Sequence, residues 1–178
     1  MGRAELVLDS SRIGDISPLP AGQHGRAIQV QGQPESGPAT ATLRTSAVER
    51  TFEAAIAVTG NASMDLETCL VRDTSSRETL LGDGIVTWSH EGLASSRIFA
   101  SQIENSERAA VSSFGAHVRL GSLVLQCQAF DLAAEPWNQQ PASYEDLGGV
   151  LCGCPEANGS CVAETYALEP PQAIGGLE

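Results

Sequence analysis

Lysine is missing from this chain, and aromatic side chains are scarce: two Trp, two Tyr and four Phe in 178 residues. Without lysine there is no P-loop, no side-chain amine for a Schiff base and no Ser-x-x-Lys hydrolase. Positive charge of any kind is thin. Ten Arg stand against 22 acidic residues, for a net charge of −12. The Arg residues run from Arg3 to Arg119 with no cluster. Phosphate backbones and anionic bilayers select basic stripes, so nucleic acid is not an expected partner. No run of 18 apolar residues occurs, so no membrane insertion is expected. The first 30 residues lack the basic and then apolar segments of a signal peptide. Met1-Gly2 and Leu177-Glu178 read as junctions of an edited chain, which leaves room for a leader removed from in front of it.

Several catalytic and metal signatures are also missing. There is no Gly-x-Ser-x-Gly, no pair of Cys-x-x-Cys knuckles and no Asp-x-Asp-x-Asp-Gly loop. The only histidines are His24, His90 and His117. No catalytic residue, metal ligand or cofactor is assigned on these grounds.

What is present begins with apolar content. At 42% hydrophobic, the chain can bury a core as one domain. Residues 4–9 and 26–31 read as strands; in the second, Ile28 and Val30 alternate with Gln29 and Gln31. Residues 64–72, 109–114 and 116–120 read the same way. Thr79 to Leu81 and Ile85 to Trp88 flank Gly82-Asp83-Gly84 as a hairpin would. The clearest strand is Ser122 to Phe130, with Leu123, Leu125, Cys127 and Ala129 on one face. Residues 45–60 fit two readings: a helix with the Ser46/Glu49 capping spacing, or a strand alternating through Phe52, Ala54, Ile56 and Val58. No internal repeat is visible. Short strands separated by turn signals predict a mainly β fold, an antiparallel β-sandwich. A small OB-like β-barrel with one helix is the alternative.

The character changes after Leu132. Residues 133–178 hold five Pro, three of the five Cys and no regular period, and residues 120–178 carry eight acids and no base. The expected organisation is a β domain at 1–132 and an acidic, Cys/Pro-rich C-terminal arm at 133–178, packed on the domain or on a partner. Trp137, Tyr144 and Tyr166 lie in that arm and are the partner-binding candidates.

Cys69 and Cys127 sit in strand-like stretches, whereas Cys152, Cys154 and Cys161 crowd one loop. All five are disulfide candidates. Cys161 can close a short loop with Cys152 or Cys154, and Cys69 can bridge Cys127 between strands, leaving one thiol over. Trp88 lies between Cys69 and Cys127, but the tyrosine of an immunoglobulin pattern is replaced by Leu125, so an inter-sheet bridge in another kind of sandwich is expected. Asn61-Ala62-Ser63 and Asn158-Gly159-Ser160 are sequons, making Asn61 and Asn158 glycosylation candidates.

The leading expectation is a non-catalytic extracytoplasmic structural or binding module: an adhesive, cell-surface or virion component that works through protein contacts or self-assembly. One alternative is a hydrolase on a β scaffold, using carboxylates such as Glu67, Glu91 and Glu104 or a Cys/His pair. Another is an OB-like binding module, which needs Arg26, Arg44, Arg72 and Arg119 to share a face.

Overall fold

The computed structural model describes residues 3–18, 25–35, 37–76, 81–154 and 161–171. Eighteen strands occur among them, in six successive triplets. The first triplet is β1 (Ala4–Asp9), β2 (Arg12–Gly14) and β3 (Ile28–Gly32); the second is β4 (Ala39–Arg44), β5 (Ala47–Phe52) and β6 (Ala54–Gly60). The third is β7 (Ala62–Glu67), β8 (Leu70–Ser75) and β9 (Asp83–Trp88); the fourth is β10 (Ser95–Phe99), β11 (Gln102–Ser106) and β12 (Ala109–Phe114). The fifth is β13 (His117–Gly121), β14 (Val124–Gln126) and β15 (Phe130–Glu135); the sixth is β16 (Ser143–Asp146), β17 (Leu151–Cys152) and β18 (Ala163–Glu164). Each triplet gives one strand to each of three six-stranded sheets. Sheet A is β1-β4-β7-β10-β13-β16, sheet B takes the second strand of each triplet and sheet C the third. All pairings are parallel. The described residues form a three-faced β-solenoid of six coils.

Like residues stack inside it. Leu8, Leu43, Leu66, Ile98 and Leu120 are register partners along sheet A. Ile13, Val48, Val71, Ile103, Leu125 and Cys152 do the same along sheet B. Ile28, Ile56, Ile85, Val111 and Leu132 line sheet C. Each such side chain contributes about 2 kcal/mol when fully buried.

The turn from sheet A to sheet B is a repeated two-residue corner. Its first residue is left-handed in five coils: Ser10 (φ 49°), Thr45 (50°), Thr68 (56°), Ala100 (49°) and Ser122 (50°). Its second residue ties the turn to the strand before it. Ser11, Ser46 and Ser101 donate their hydroxyls to the carbonyls of Asp9, Arg44 and Phe99 at 2.9, 2.6 and 2.7 Å. Cys69 takes the same place and points its thiol at Glu67 O, 3.2 Å away. The hydroxyls also link coils: Ser11 N donates to Ser46 Oγ at 3.1 Å, and Cys69 N to Ser101 Oγ at 3.0 Å. From sheet C back to sheet A, coils approach closely at Gly60 (φ 70°), where a Cβ would run into the Gly32 carbonyl.

Strands β6, β9 and β12 of sheet C are buried on both faces, since every one of their residues is buried. The outer face of the sheet carries Ala54, Val86, Trp88 and Phe114, with Trp137 and Leu168 packed on them. The chain after β18 runs back over this face. Glu135 accepts from Thr165 Oγ1 (2.5 Å) and Tyr166 N (2.7 Å), and Arg108 Nη1 donates to Glu169 O (3.2 Å).

These findings correct several expectations. The antiparallel sandwich is replaced by three parallel sheets, and the OB-like barrel with one helix is excluded because the described residues contain no helix. Period-2 alternation marks a half-buried strand whatever its direction; the corner geometry, which alternation does not carry, sets the direction. The hairpin at Gly82-Asp83-Gly84 is absent: Asp83 starts β9, which runs parallel to β6 and β12, and Thr79 and Leu80 lie outside the described residues. The long strand at 122–130 is broken at Cys127 (φ 60°). Residues 45–60 form β5 and β6, so the strand reading is the one found. The boundary at 132/133 falls inside β15, and β16, β17 and β18 form the sixth coil.

Candidate functional site

The outer face of sheet A carries a row of exposed polar and charged side chains. Sheet C is covered, and the outer side of sheet B is knitted by ion pairs around Glu49. That carboxylate is 2% exposed and is engaged by Arg12, Arg50 (2.9 Å) and Arg72 (2.7 Å). The hydrogen bonds from Arg72 and Arg50 hold its pKa down at about 2. A carboxylate clamped in this way stiffens three coils and is closed to other chemistry.

On sheet A the alternation of β4, β7, β10 and β13 turns three columns outward; beside the column Asp9, Arg44, Glu67, Phe99, Gly121 stand two more. One runs Glu5, Thr40, Ser63, Ser95, His117, Ser143. The other runs Val7, Thr42, Asp65, Arg97, Arg119, Glu145. The second has an unusual order, acid–base–base–acid. Arg97 and Arg119 are direct register partners, a like-charge juxtaposition that opposes pairing. Each guanidinium is compensated on its far side, Arg97 by Asp65 (2.8 Å) and Arg119 by Glu145 (2.9 Å). Two cations therefore stand side by side on the fourth and fifth strands of the sheet, beside a depression of about 400 Å³ that Ser63, Ser95 and His117 also line. The Arg97 guanidinium lies over the Phe99 ring, 4.9 Å from its centre, which fixes its plane.

A second set adjoins it. Ser143 Oγ lies 2.9 Å from His117 Nδ1, and Glu145 Oε2 lies 3.6 Å from His117 Nε2. Serine, imidazole and carboxylate in that order are the components of a hydrolytic triad. Their surroundings differ from one. His117 and Glu145 are each 49% exposed, Arg119 shares Glu145, and Ser143 sits on a regular strand rather than a strained turn. Water is not excluded, so the electrostatic gain that drives acyl transfer is small here.

The sequence candidates are placed as follows. Cys127 bonds to Cys154 (Cα–Cα 4.7 Å) and Cys152 to Cys161 (5.2 Å). The expected Cys69–Cys127 bridge is not formed, because Cys69 belongs to the corner between β7 and β8 and Cys127 to the kink after β14. Cys69 is free and buried, and desolvation pushes its thiol pKa up. Trp137, Tyr144 and Tyr166 are each turned onto the molecule itself. Trp137 meets Trp88 edge-on at 5.9 Å, and Tyr166 stacks on Phe130 at 4.0 Å. The Tyr144 hydroxyl lies 2.9 Å from both Val111 O and Ala133 O, and burial raises its pKa well above the usual tyrosine value. Asn61 is exposed at the corner between β6 and β7; Asn158 lies outside the described residues.

The hydrolase carboxylates do not converge. Glu67 faces Arg44 on sheet A, Glu104 accepts from Gln102 on sheet B, and Glu91 lies beside His90 in the loop before β10. Nor do the four arginines of the OB-like reading share a face: Arg26 pairs with Glu53, Arg72 with Glu49, and Arg44 and Arg119 lie on sheet A. Among the described residues no group of three or more His, Cys, Asp and Glu is placed to hold a metal ion. The Arg97/Arg119 pair was not singled out from sequence. A strand repeat would have exposed it, because only the coil register brings the two together. Comparison with family models, curated proteins and solved structures gives no match.

Proposed function

We propose that this chain is a non-catalytic extracytoplasmic binding module that presents the outer face of sheet A to a protein partner. The observation that supports this reading is the pairing of Arg97 and Arg119 on neighbouring strands of that face. Two adjacent guanidiniums, each held from behind by its own acid, form a fork for an incoming carboxylate. An incoming carboxylate meets attraction between the two guanidiniums, because their own acids, Asp65 and Glu145, lie on the outer sides of the pair. The partner is therefore a protein surface with one or more protruding carboxylates. Two disulfides fit assembly in an oxidising compartment.

The test is capture under non-reducing conditions, from the extracytoplasmic fraction of the source cell, by the wild type and by an R97E/R119E double variant. A partner that binds the wild type, is lost from the variant and cross-links through Asp or Glu supports the reading. Equal capture by both overturns it. Fluorophosphonate labelling of Ser143 would instead move the assignment to the Ser143–His117–Glu145 set and a hydrolase.

A further inference from the structure

The two ends of the solenoid are unlike. At the C-terminal end two disulfides and the Tyr144 side chain close the sixth coil. At the N-terminal end β1, β2 and β3 are the outermost strands of their sheets among the described residues. Ile28 and Val30 of β3 are each only 4% exposed, whereas the inward-facing Leu6 of β1 is 38% exposed. Strand β1 is six residues long and, among the described residues, pairs on one side only, with β4. It has no proline and no inward charge, the usual devices that keep an edge strand from pairing.

The sequence of this edge is self-complementary. When two copies of β1 pair antiparallel about Leu6, Leu6 meets Leu6, Ala4 meets Leu8, Glu5 meets Val7 and Arg3 meets Asp9. The inward positions are then apolar against apolar, and the outward ends carry two symmetry-related Arg3–Asp9 pairs. The other stacking mode, β1 of one copy on β16 of the next, sets Glu5 and Asp9 against a strand that carries Glu145 and Asp146. Like charges across a strand pair oppose that arrangement. The two-fold contact closes on itself, while the head-to-tail contact would build an open filament.

We infer that this chain forms a two-fold dimer through the open edge of β1, the N-terminal edge of the sheet whose outer face carries Arg97 and Arg119. Sheet A then continues across the axis as one twelve-stranded sheet with a central antiparallel pair. Each dimer displays two Arg97/Arg119 forks, on the same face of that sheet, to a multivalent partner.

The experiment is sedimentation equilibrium of the intact oxidised protein with four variants: L6K, R3D, D9R and the double swap R3D/D9R. The wild type is expected at twice the chain mass of 18.6 kDa. L6K is expected to be monomeric. R3D and D9R are each expected to weaken the dimer, every reversal acting twice because of the two-fold axis, and the swap to restore it to within about threefold of wild type. Circular dichroism shows whether each variant keeps its sheet content; R3D and D9R lie on an exposed edge and test the idea even if L6K misfolds. A monomeric wild type overturns the inference. So does a swap no tighter than its single parents, and so do assemblies that grow beyond two chains.

Discussion

At the level of single residues, the corner stack explains what composition left unassigned. Cys69 is the serine of the third coil. Its neighbours in the stack, Ser46 and Ser101, make the same bond from side chain to the carbonyl two residues back. Replacing Cys69 with Ser is expected to change stability by less than about 1 kcal/mol in a thermal melt, since the donor is kept and the volume is close. The native thiol is expected to resist iodoacetamide, because it is buried and its pKa is raised. Gly60 is the opposite case. Its left-handed backbone and the Gly32 carbonyl beside it leave no room for a side chain. Gly60→Ala is expected to cost about 2 kcal/mol or more, read from urea unfolding.

Glu49 links residue to solvent. Its pKa falls from the ordinary 4.5 to about 2 in the folded chain, first through the Arg72 and Arg50 hydrogen bonds. A folded-state pKa below the unfolded one means a contribution that is complete above pH 4.5 and is lost as pH drops toward 2. Urea melts between pH 5 and pH 2 are expected to show this loss, and Glu49→Gln is expected to flatten it over that window. Equal pH slopes for the two proteins would show that the clamp adds no pH-dependent stability.

At the level of elements, much of the strand content was legible and its arrangement was not. Alternation located β3, because a strand facing a core shows period 2 wherever it lies; the readings at 4–9 and 109–114 fall on β1 and β12, whereas the one at 64–72 runs from β7 through the Thr68–Cys69 corner into β8. Alternation failed at Ser122 to Phe130, where the pattern runs smoothly through Cys127 although the backbone turns left-handed there. A side-chain pattern does not report φ at a non-glycine residue. Direction was hidden for a related reason: polar residues between two strands suit a hairpin and a solenoid corner equally. The missing clue was a short, degenerate repeat. Leu8-Asp9-Ser10-Ser11, Leu43-Arg44-Thr45-Ser46, Leu66-Glu67-Thr68-Cys69 and Ile98-Phe99-Ala100-Ser101 share an apolar residue followed by a small corner. Uneven coil lengths hide it: the register runs from Ala4 to Ala39, then from Ala39 to Ala62, then from Ser63 to Ser95. The Arg97/Arg119 fork was illegible for the same cause, since only the coil register makes those residues neighbours.

At the level of the whole molecule, a solenoid has no single keystone. Each coil touches the coils beside it, so stability is close to a sum of neighbouring contacts and the ends fray first. The sixth coil is the least regular: β17 and β18 are two residues each, and Leu151 and Val162 stay exposed. It is also where both disulfides lie. Cys127–Cys154 spans 27 residues and ties this coil to the fifth, and Cys152–Cys161 spans nine residues within it. Loop-closure entropy puts each at about 3 kcal/mol. Reduction is therefore expected to loosen one end rather than unfold the chain. In hydrogen exchange after reduction, amides of β16, β17 and β18 are expected to lose protection by about a hundredfold or more, the factor that 3 kcal/mol represents. Amides of β5, β8 and β9, held between coils on both sides, are expected to keep theirs. Equal loss in all three sheets would mean that the coils unfold as one cooperative block, and that the staple sets the stability of the entire solenoid rather than of its last turn.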